Sequence, residues 1–310
     1  MTYDLICIGM ALVDSIIKGF NPEPVSASGY RAVSGSLNVG GEAVNEAMAA
    51  AKLGLKTGIL CSLGQDEAGE MVIHALRSAG VDTGLIVRGP GTPVTTLFVY
   101  GDGTRKSITN DTHRYNFHPE RYASGFTKAK ALILGSLFRA PFNDPEIIES
   151  VVRNAKEEDQ QIYADTKLPN FRKLTLRDIR KSLEKIDFIT PNEDEARFFT
   201  GKDRPEEMAD VFLEHGVGNV IIKLGNRGCY LKNAGLSLRL PAYRINAVDA
   251  TGAGDNFLAG FASEIIRGNS IENALQFGNA CGAICTTAVG AGTALKSREQ
   301  VINWMKGIFG

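Results

Sequence analysis

Two carboxylates, Asp249 and Asp255, bracket the run Ala250-Thr251-Gly252-Ala253-Gly254. The amphipathic pattern DNFLAGFASEIIRG follows at once and ends at Gly268, which places Thr251 to Gly254 at a helix N-terminus. The first N–H groups of a helix have no internal acceptor, and the helix dipole adds partial positive charge there. Glycines let a ligand approach that backbone closely. Such a cradle suits an anion, and a phosphoryl group best of all. Asp255 inside the cradle has two readings. It complements the dipole in the first turn, or it is a base poised to take a proton from a hydroxyl that attacks the cradled phosphoryl group.

The rest of the chain supplies the frame. Apolar runs alternate with amphipathic ones: YDLICIG, KTGILCSLG, AKALILG, QQIYAD, DFITPN and NVIIKLG read as strands. DEAGEMVIHALRSAG, DPEIIESVVRNAKEED, LTLRDIRKSLEKI and EEMADVFLEHG read as helices. This predicts an α/β fold with a mostly parallel sheet covered on both faces. Ala253 to Phe309 should be largely helical. Two stretches break the rhythm. Ser15 to Asn38 holds Pro22, Pro24, Gly29 and Gly35 without helical period, and Val94 to Thr109 reads as a hairpin around Gly101-Asp102-Gly103. They are expected to leave the body as a small β lid or to serve as edge strands of the main sheet. The predicted organisation is a body of residues 1–14, 39–92 and 111–310, with residues 15–38 and 93–110 forming the inserted lid.

The 310 residues carry a formal net charge of −1, so no global basic field exists to hold nucleic acid or an anionic membrane surface. The start, MTYDLICIGM, has no basic segment, signal-length apolar run or cleavage site, and no stretch is apolar enough to span a bilayer. A cytoplasmic protein is expected. The five cysteines, Cys7, Cys61, Cys229, Cys281 and Cys285, form no C-x-x-C pair and are read as buried thiols.

DATGAGDNF, Asp249 to Phe257, resembles the C-terminal signature D-T-x-G-A-G-D-x-F of the ribokinase-like (PfkB) carbohydrate kinases, with Ala at position 250 where Thr is frequent. GMALVD ends in Asp14, placed like the family's early sugar-binding Asp. GGEAVNEA matches G-G-x-x-x-N through Gly40, Gly41 and Asn45. TPNEDEA matches N-x-x-E through Asn192 and Glu195, and KLGNRG matches G-x-x-G through Gly225 and Gly228. These four further matches follow one another in family order. The resemblance implies a three-layer α/β/α sandwich with a β lid and an ATP- and Mg2+-dependent kinase acting on a sugar hydroxyl. It implies Asp255 as the catalytic base, with the amides of Gly252, Ala253 and Gly254 as the anion hole. Asp14, Gly40, Gly41, Asn45 and Asp255 would hold the sugar. Asn192, Glu195, Lys223, Gly225, Gly228, Thr251, Gly252, Gly254 and Asn279 would lie on the nucleotide side. Glu195 would meet Mg2+ through water, and Asp249, with carbonyls near Thr251 and Gly290, would hold a monovalent cation such as K+. Each has a plainer reading too: Asp14 as a turn residue, Asn192 and Glu195 as a capping box, Lys223 as a solvated strand end, Asn279 as packing. Asn110, His113 and Arg114 follow the lid hairpin and are candidates to face the substrate, and exposed lid strands favour a homodimer through the lid.

Specificity is less defined. YADTKLP, Tyr163 to Pro169, departs from the D-x-N-x-R run of fructokinase and ketodeoxygluconate kinase relatives, with Lys167 near the place of an arginine. Glu42 and Glu46 stand where ribokinases tend to have other residues, and an inward Glu42 would disfavour an acidic acceptor. A neutral monosaccharide is expected, with a nucleoside or sugar acid as the alternative acceptor. Two other classes compete. A dinucleotide oxidoreductase is disfavoured because G-M-A-L-V-D, not G-x-G-x-x-G, follows the first strand. A silent sugar-binding regulator has no use for Asp255.

Overall fold

Leu5 to Ile8, the apolar core of the first strand, are fully buried, as a strand without polar alternation requires. The computed structural model describes residues 2–19, 31–102, 104–110, 117–170 and 172–309. In chain order come β1 (Tyr3–Ile8), β2 (Leu12–Lys18), β3 (Ser34–Gly40), α1 (Glu42–Lys52), β4 (Thr57–Leu60), β5 (Ser62–Gly64), α2 (Glu67–Ser78) and β6 (Val87–Gly89). Then come β7 (Val94–Val99), β8 (Arg105–Thr109), α3 (Ala123–Phe126), β9 (Ala129–Leu137), α4 (Pro145–Glu157), β10 (Gln161–Thr166), α5 (Arg180–Leu183), β11 (Phe188–Thr190), α6 (Glu193–Thr200) and α7 (Pro205–Glu214). The chain closes with β12 (Asn219–Lys223), β13 (Cys229–Lys232), β14 (Ser237–Leu240), α8 (Ala253–Ile266), α9 (Ile271–Cys285) and α10 (Arg298–Phe309).

The main sheet has the order β14-β13-β12-β11-β10-β9-β1-β4. It is parallel from β4 to β12 and antiparallel only at the β12–β13–β14 edge. Side chains alternate between two layers, as the pleat demands. Leu5 and Cys7 pack with α1, α8 and α9, whereas Ile6 and Ile8 pack with α4 and α7. This is the three-layer α/β/α arrangement expected. A separate four-stranded sheet, β3-β2-β7-β8, forms from the two stretches that lack helical rhythm. It takes in Leu12 to Asp14 and reaches Gly40, so Asp14 belongs to a strand of this small sheet. Among the described residues, no helix is long and apolar enough to cross a membrane.

Two elements differ from expectation. KTGILCSLG divides into β4 and β5, the latter pairing with β6 in a small sheet of its own. LTLRDIRKSLEKI is helical only over α5. It is wound largely by bonds between residues three apart, such as Asp178 N–H to Thr175 C=O and Lys185 N–H to Ser182 C=O. The Asp178 carboxylate also accepts from the Thr175 amide and hydroxyl, a local bond that competes with a regular helix.

Candidate active site

Helix α8 opens on Gly252, whose φ of 76° turns the chain into the helix. A Cβ at that position would come within 2.2 Å of the Ala291 Cβ, so glycine is demanded by both backbone and space. Of the amides at this end, Thr251 donates to Asp249 Oδ1 and Ala253 donates to the Ala250 carbonyl at 3.2 Å. Among the described residues the amides of Gly252, Gly254 and Asp255 have no protein acceptor. The free donors therefore differ by one from the sequence expectation: Asp255 N–H is open where Ala253 N–H is engaged. The Asp255 side chain is buried, and its Oδ2 accepts from Asn45 Nδ2 at 2.7 Å. Burial, reinforced by the charges of Glu42 and Asp165 and opposed by Lys167, pushes its carboxyl up to about 6.

The other polar groups come from the C-terminal ends of parallel strands, where open α/β sheets bind their ligands. Ser136 and Asp165 stand one residue before the ends of β9 and β10, and Lys223 ends β12. Lys223 Nζ donates to Asp165 Oδ1 at 2.5 Å in a nearly closed setting. Burial disfavours the ammonium, but Asp165 and Glu195 outweigh it and hold Lys223 above its ordinary value. A Cβ on Gly254 would lie 3.0 Å from Lys223 Nζ, so the ammonium stands at the amide cradle. After β11, Asn192 and Glu195 form a reciprocal capping box at the start of α6. Glu195 Oε2 accepts from the Asn192 amide and from the Thr166 hydroxyl, and its side chain lines the cavity. Capping takes one oxygen of the carboxylate and leaves the other for a hydrated cation, a donor set that fits Mg2+.

The opposite end is built around the small sheet. Asp14 on β2 pairs with Asn38 and Thr95, and a Cβ on Gly40 would come 2.5 Å from Asp14 Oδ2. Gly41 has φ 100° and no room for a side chain against Met10. Burial, with the charge of Glu42, raises the Asp14 carboxyl. Glu42 pairs with Lys167 at 3.2 Å. Asp14, Gly40, Gly41, Glu42, Asn45, Asp165, Lys167, Asn192, Glu195, Lys223, Gly225 and the run Asp249 to Asp255 all line one cavity of about 1480 Å³. That exceeds the roughly 300–1,000 Å³ of an ordinary small-molecule pocket.

Gly228 and Asn279 lie outside that lining. Gly228, at φ 90°, is needed because a Cβ would strike the Leu240 carbonyl, and Asn279 Nδ2 lies 3.5 Å from Cys229 Sγ and the Pro241 carbonyl. Asn110 Oδ1 accepts from the Val94 amide and fastens the β7–β8 hairpin. His113 and Arg114, like Pro22, Pro24 and Gly29, lie outside the described residues. Both oxygens of Asp249 are hydrogen-bonded, Oδ1 to Thr251 and Oδ2 to the Gly290 amide, which makes it a staple between two loops. A cation there would have to share it. Sequence reasoning passed over Asp165, Ser136, Arg139 and Lys52, all in the cavity wall. For Asp165 and Ser136 the signal was available, since each stands at the carboxyl end of a predicted strand.

The cavity thus joins an amide cradle, a buried carboxylate and a second, polar end. The pfkB family carbohydrate kinase model matches residues 3–298, and the chain belongs to that family. It is 27% identical to a ribokinase of Haemophilus influenzae over 86% of this chain and 87% of that one. It is 26% identical to a deoxyribokinase of Salmonella typhi, over 96% and 97%. Among solved structures it superposes on an Arabidopsis thaliana ribokinase complexed with ribose and ATP, with a TM-score of 0.86, 24% identity and 99% of each chain covered. It also resembles a candidate ribokinase II from E. coli in complex with ATP and Mg2+, with a TM-score of 0.80, 25% identity, and 98% and 99% covered. The chain is a ribokinase-family sugar kinase, a phosphotransferase with an alcohol group as acceptor.

Proposed function

We propose that this kinase transfers the terminal phosphoryl group of ATP to a hydroxyl of a small neutral sugar, with Asp255 as the base. The acceptor oxygen bonds to the terminal phosphorus, the bond from that phosphorus to the ADP oxygen breaks, and the hydroxyl proton passes to Asp255. The amides of Gly252, Gly254 and Asp255 face the charge on the transferring oxygens, where fixed donors act without reorganisation. Lys223 stands beside them. Mg2+, when bound with ATP, would neutralise phosphate charge, and Glu195 is the side chain here that would meet its water shell. Asp14 and Asn45 would orient the sugar, and the β3-β2-β7-β8 sheet would close over it as a lid and exclude water. That sheet is also proposed as the contact between two copies of the chain.

The observation that carries this reading is the buried Asp255 carboxylate, bonded to Asn45 at 2.7 Å and set in the first turn of a helix with unpaired amides. The preference for a neutral acceptor rests on Asp14, which has no cationic partner among the described residues and would meet an anionic sugar unscreened. Release of ADP from MgATP, measured across neutral pentoses and hexoses, sugar acids, nucleosides and sugar phosphates, tests both points. Turnover on a neutral sugar is the expected result. Turnover only on an anionic acceptor overturns the specificity, and binding without turnover on any acceptor makes the chain a sugar-binding regulator.

A further inference from the structure

Glu46 follows Asn45 on α1, and its side chain is fully buried. Among the described residues, neither carboxylate oxygen has a hydrogen-bond partner. One of them lies in a group with a carboxylate oxygen of Asp165 and one of Asp255, all within 4.8 Å of one another. The space exists because residue 135 of β9 is glycine: a Cβ there would come 3.0 Å from Glu46 Oε2. Glu46 does not line the cavity but lies beneath it. The nearby ammonium groups are engaged, Lys223 by Asp165 and Lys167 by Glu42. A buried charge without a partner is strongly disfavoured, and the group protonates instead.

We infer that Glu46 is the protonated partner of Asp255, a neutral carboxyl beneath the base that keeps the cluster's charge low enough for Asp255 to ionise and for phosphate to approach. Glu46 is thus a positioning residue for the reaction, and the inference rests on the reading of Asp255 as the base. The groups that act on Glu46 come from every side. Burial raises it most, and Asp165 on β10, Asp255 on α8 and Glu42 on α1 add to the rise, against Lys223 on β12. Cys7 on β1, also influenced by Glu46, is itself held well above its ordinary value. Lys167 and Lys223 are raised too. Of these groups, Glu46 is the carboxyl beside Asp255. Its ionisation would put a negative charge beneath Asp255 and the transferring phosphoryl group.

The test is the pH profile of kcat/KM for the acceptor in wild type and in Glu46→Gln, whose amide is neutral at every pH. Wild type should fall on an alkaline limb, and the variant should lose that limb. A second reading does not depend on turnover. The infrared spectrum of the wild type near neutrality should show the carbonyl stretch of a protonated carboxyl, retained in Asp255→Asn and missing from Glu46→Gln. An alkaline limb unchanged in Glu46→Gln, or no protonated-carboxyl band, overturns the inference. So does nucleotide-free Mn2+ binding that the substitution abolishes, because a cation would then be what neutralises the cluster. Full turnover by Asp255→Asn would sink the reading of the base, whereas the infrared band still reports on Glu46 alone.

Discussion

In the proposed reaction a single buried carboxylate, Asp255, governs both the activity and a cost in stability. Replacing Asp255 by Asn removes the proposed proton acceptor and keeps the shape, so kcat should drop by about 10²–10⁴-fold, the usual contribution of a positioned base. Steady-state rates check this, and wild-type kcat/KM should decline as pH falls through about 6, where Asp255 takes up a proton. The same shift has a thermodynamic side. The folded carboxyl titrates near 6 and the unfolded one near 3.8. The folded state therefore binds the proton more tightly, and the penalty for ionising Asp255 is full above pH 6 and absent below the unfolded value. Asp255→Asn should gain on the order of 3 kcal/mol in urea unfolding at pH 8 and less at pH 5, the gain vanishing as pH approaches 4. Asp255 was legible in the sequence because its chemistry is local: glycines, a helix start and a carboxylate within a few residues. The role of Glu46 was not, because its meaning lies in the approach of α1, β10 and α8, which no short stretch records.

At the scale of elements, the start of α8 and the loop at Ala291 form one unit. Asn256 Nδ2 donates to the Ala291 carbonyl at 2.8 Å, Lys52 Nζ donates to the Gly292 carbonyl, and Asp249 holds the Gly290 amide. Gly252 lets this loop close on the helix. In Gly252→Ala the new Cβ meets Ala291 and the left-handed backbone is strained, a cost of about 1–2 kcal/mol. The cradle should open, and losing even one of its donors corresponds to about 10²–10³-fold in kcat. Thermal unfolding and kcat measured together check this; a variant with wild-type kcat would detach the cradle from the chemistry. The parallel strands and the capping box of α6 were legible because each obeys one local rule, apolar continuity or the Asn-x-x-Glu spacing. The irregular winding before α5 was not. Its apolar period is that of a helix, but the Thr175–Asp178 bonds decide its local conformation.

At the scale of the whole molecule, the small sheet has two unlike faces. Asp14, Thr95 and Thr109 line the cavity. In the register of the strands, Leu37 lies opposite Ser15, Ser15 opposite Thr96 and Thr96 opposite Ile108, so these four share the other face. Leu37 is 61% and Ile108 69% exposed, and Ile17 and Phe98 lie on the same face one step along. Among the described residues the sheet ends in two edge strands, β3 and β8, each with a free hydrogen-bonding side. An apolar face flanked by open edges would be matched by a second copy of itself, since a two-fold axis brings like residues together. The substitution Ile108→Lys would place repelling charges in such a contact and leave the cavity lining unchanged. Sedimentation should show wild type as a dimer and the variant as a monomer. A closed lid steadied by its twin would also hold the sugar better, so the variant's KM for the acceptor should rise while its affinity for ATP changes little. A wild-type chain that sediments as a monomer at every concentration would remove the contact from this face and leave the lid to close alone.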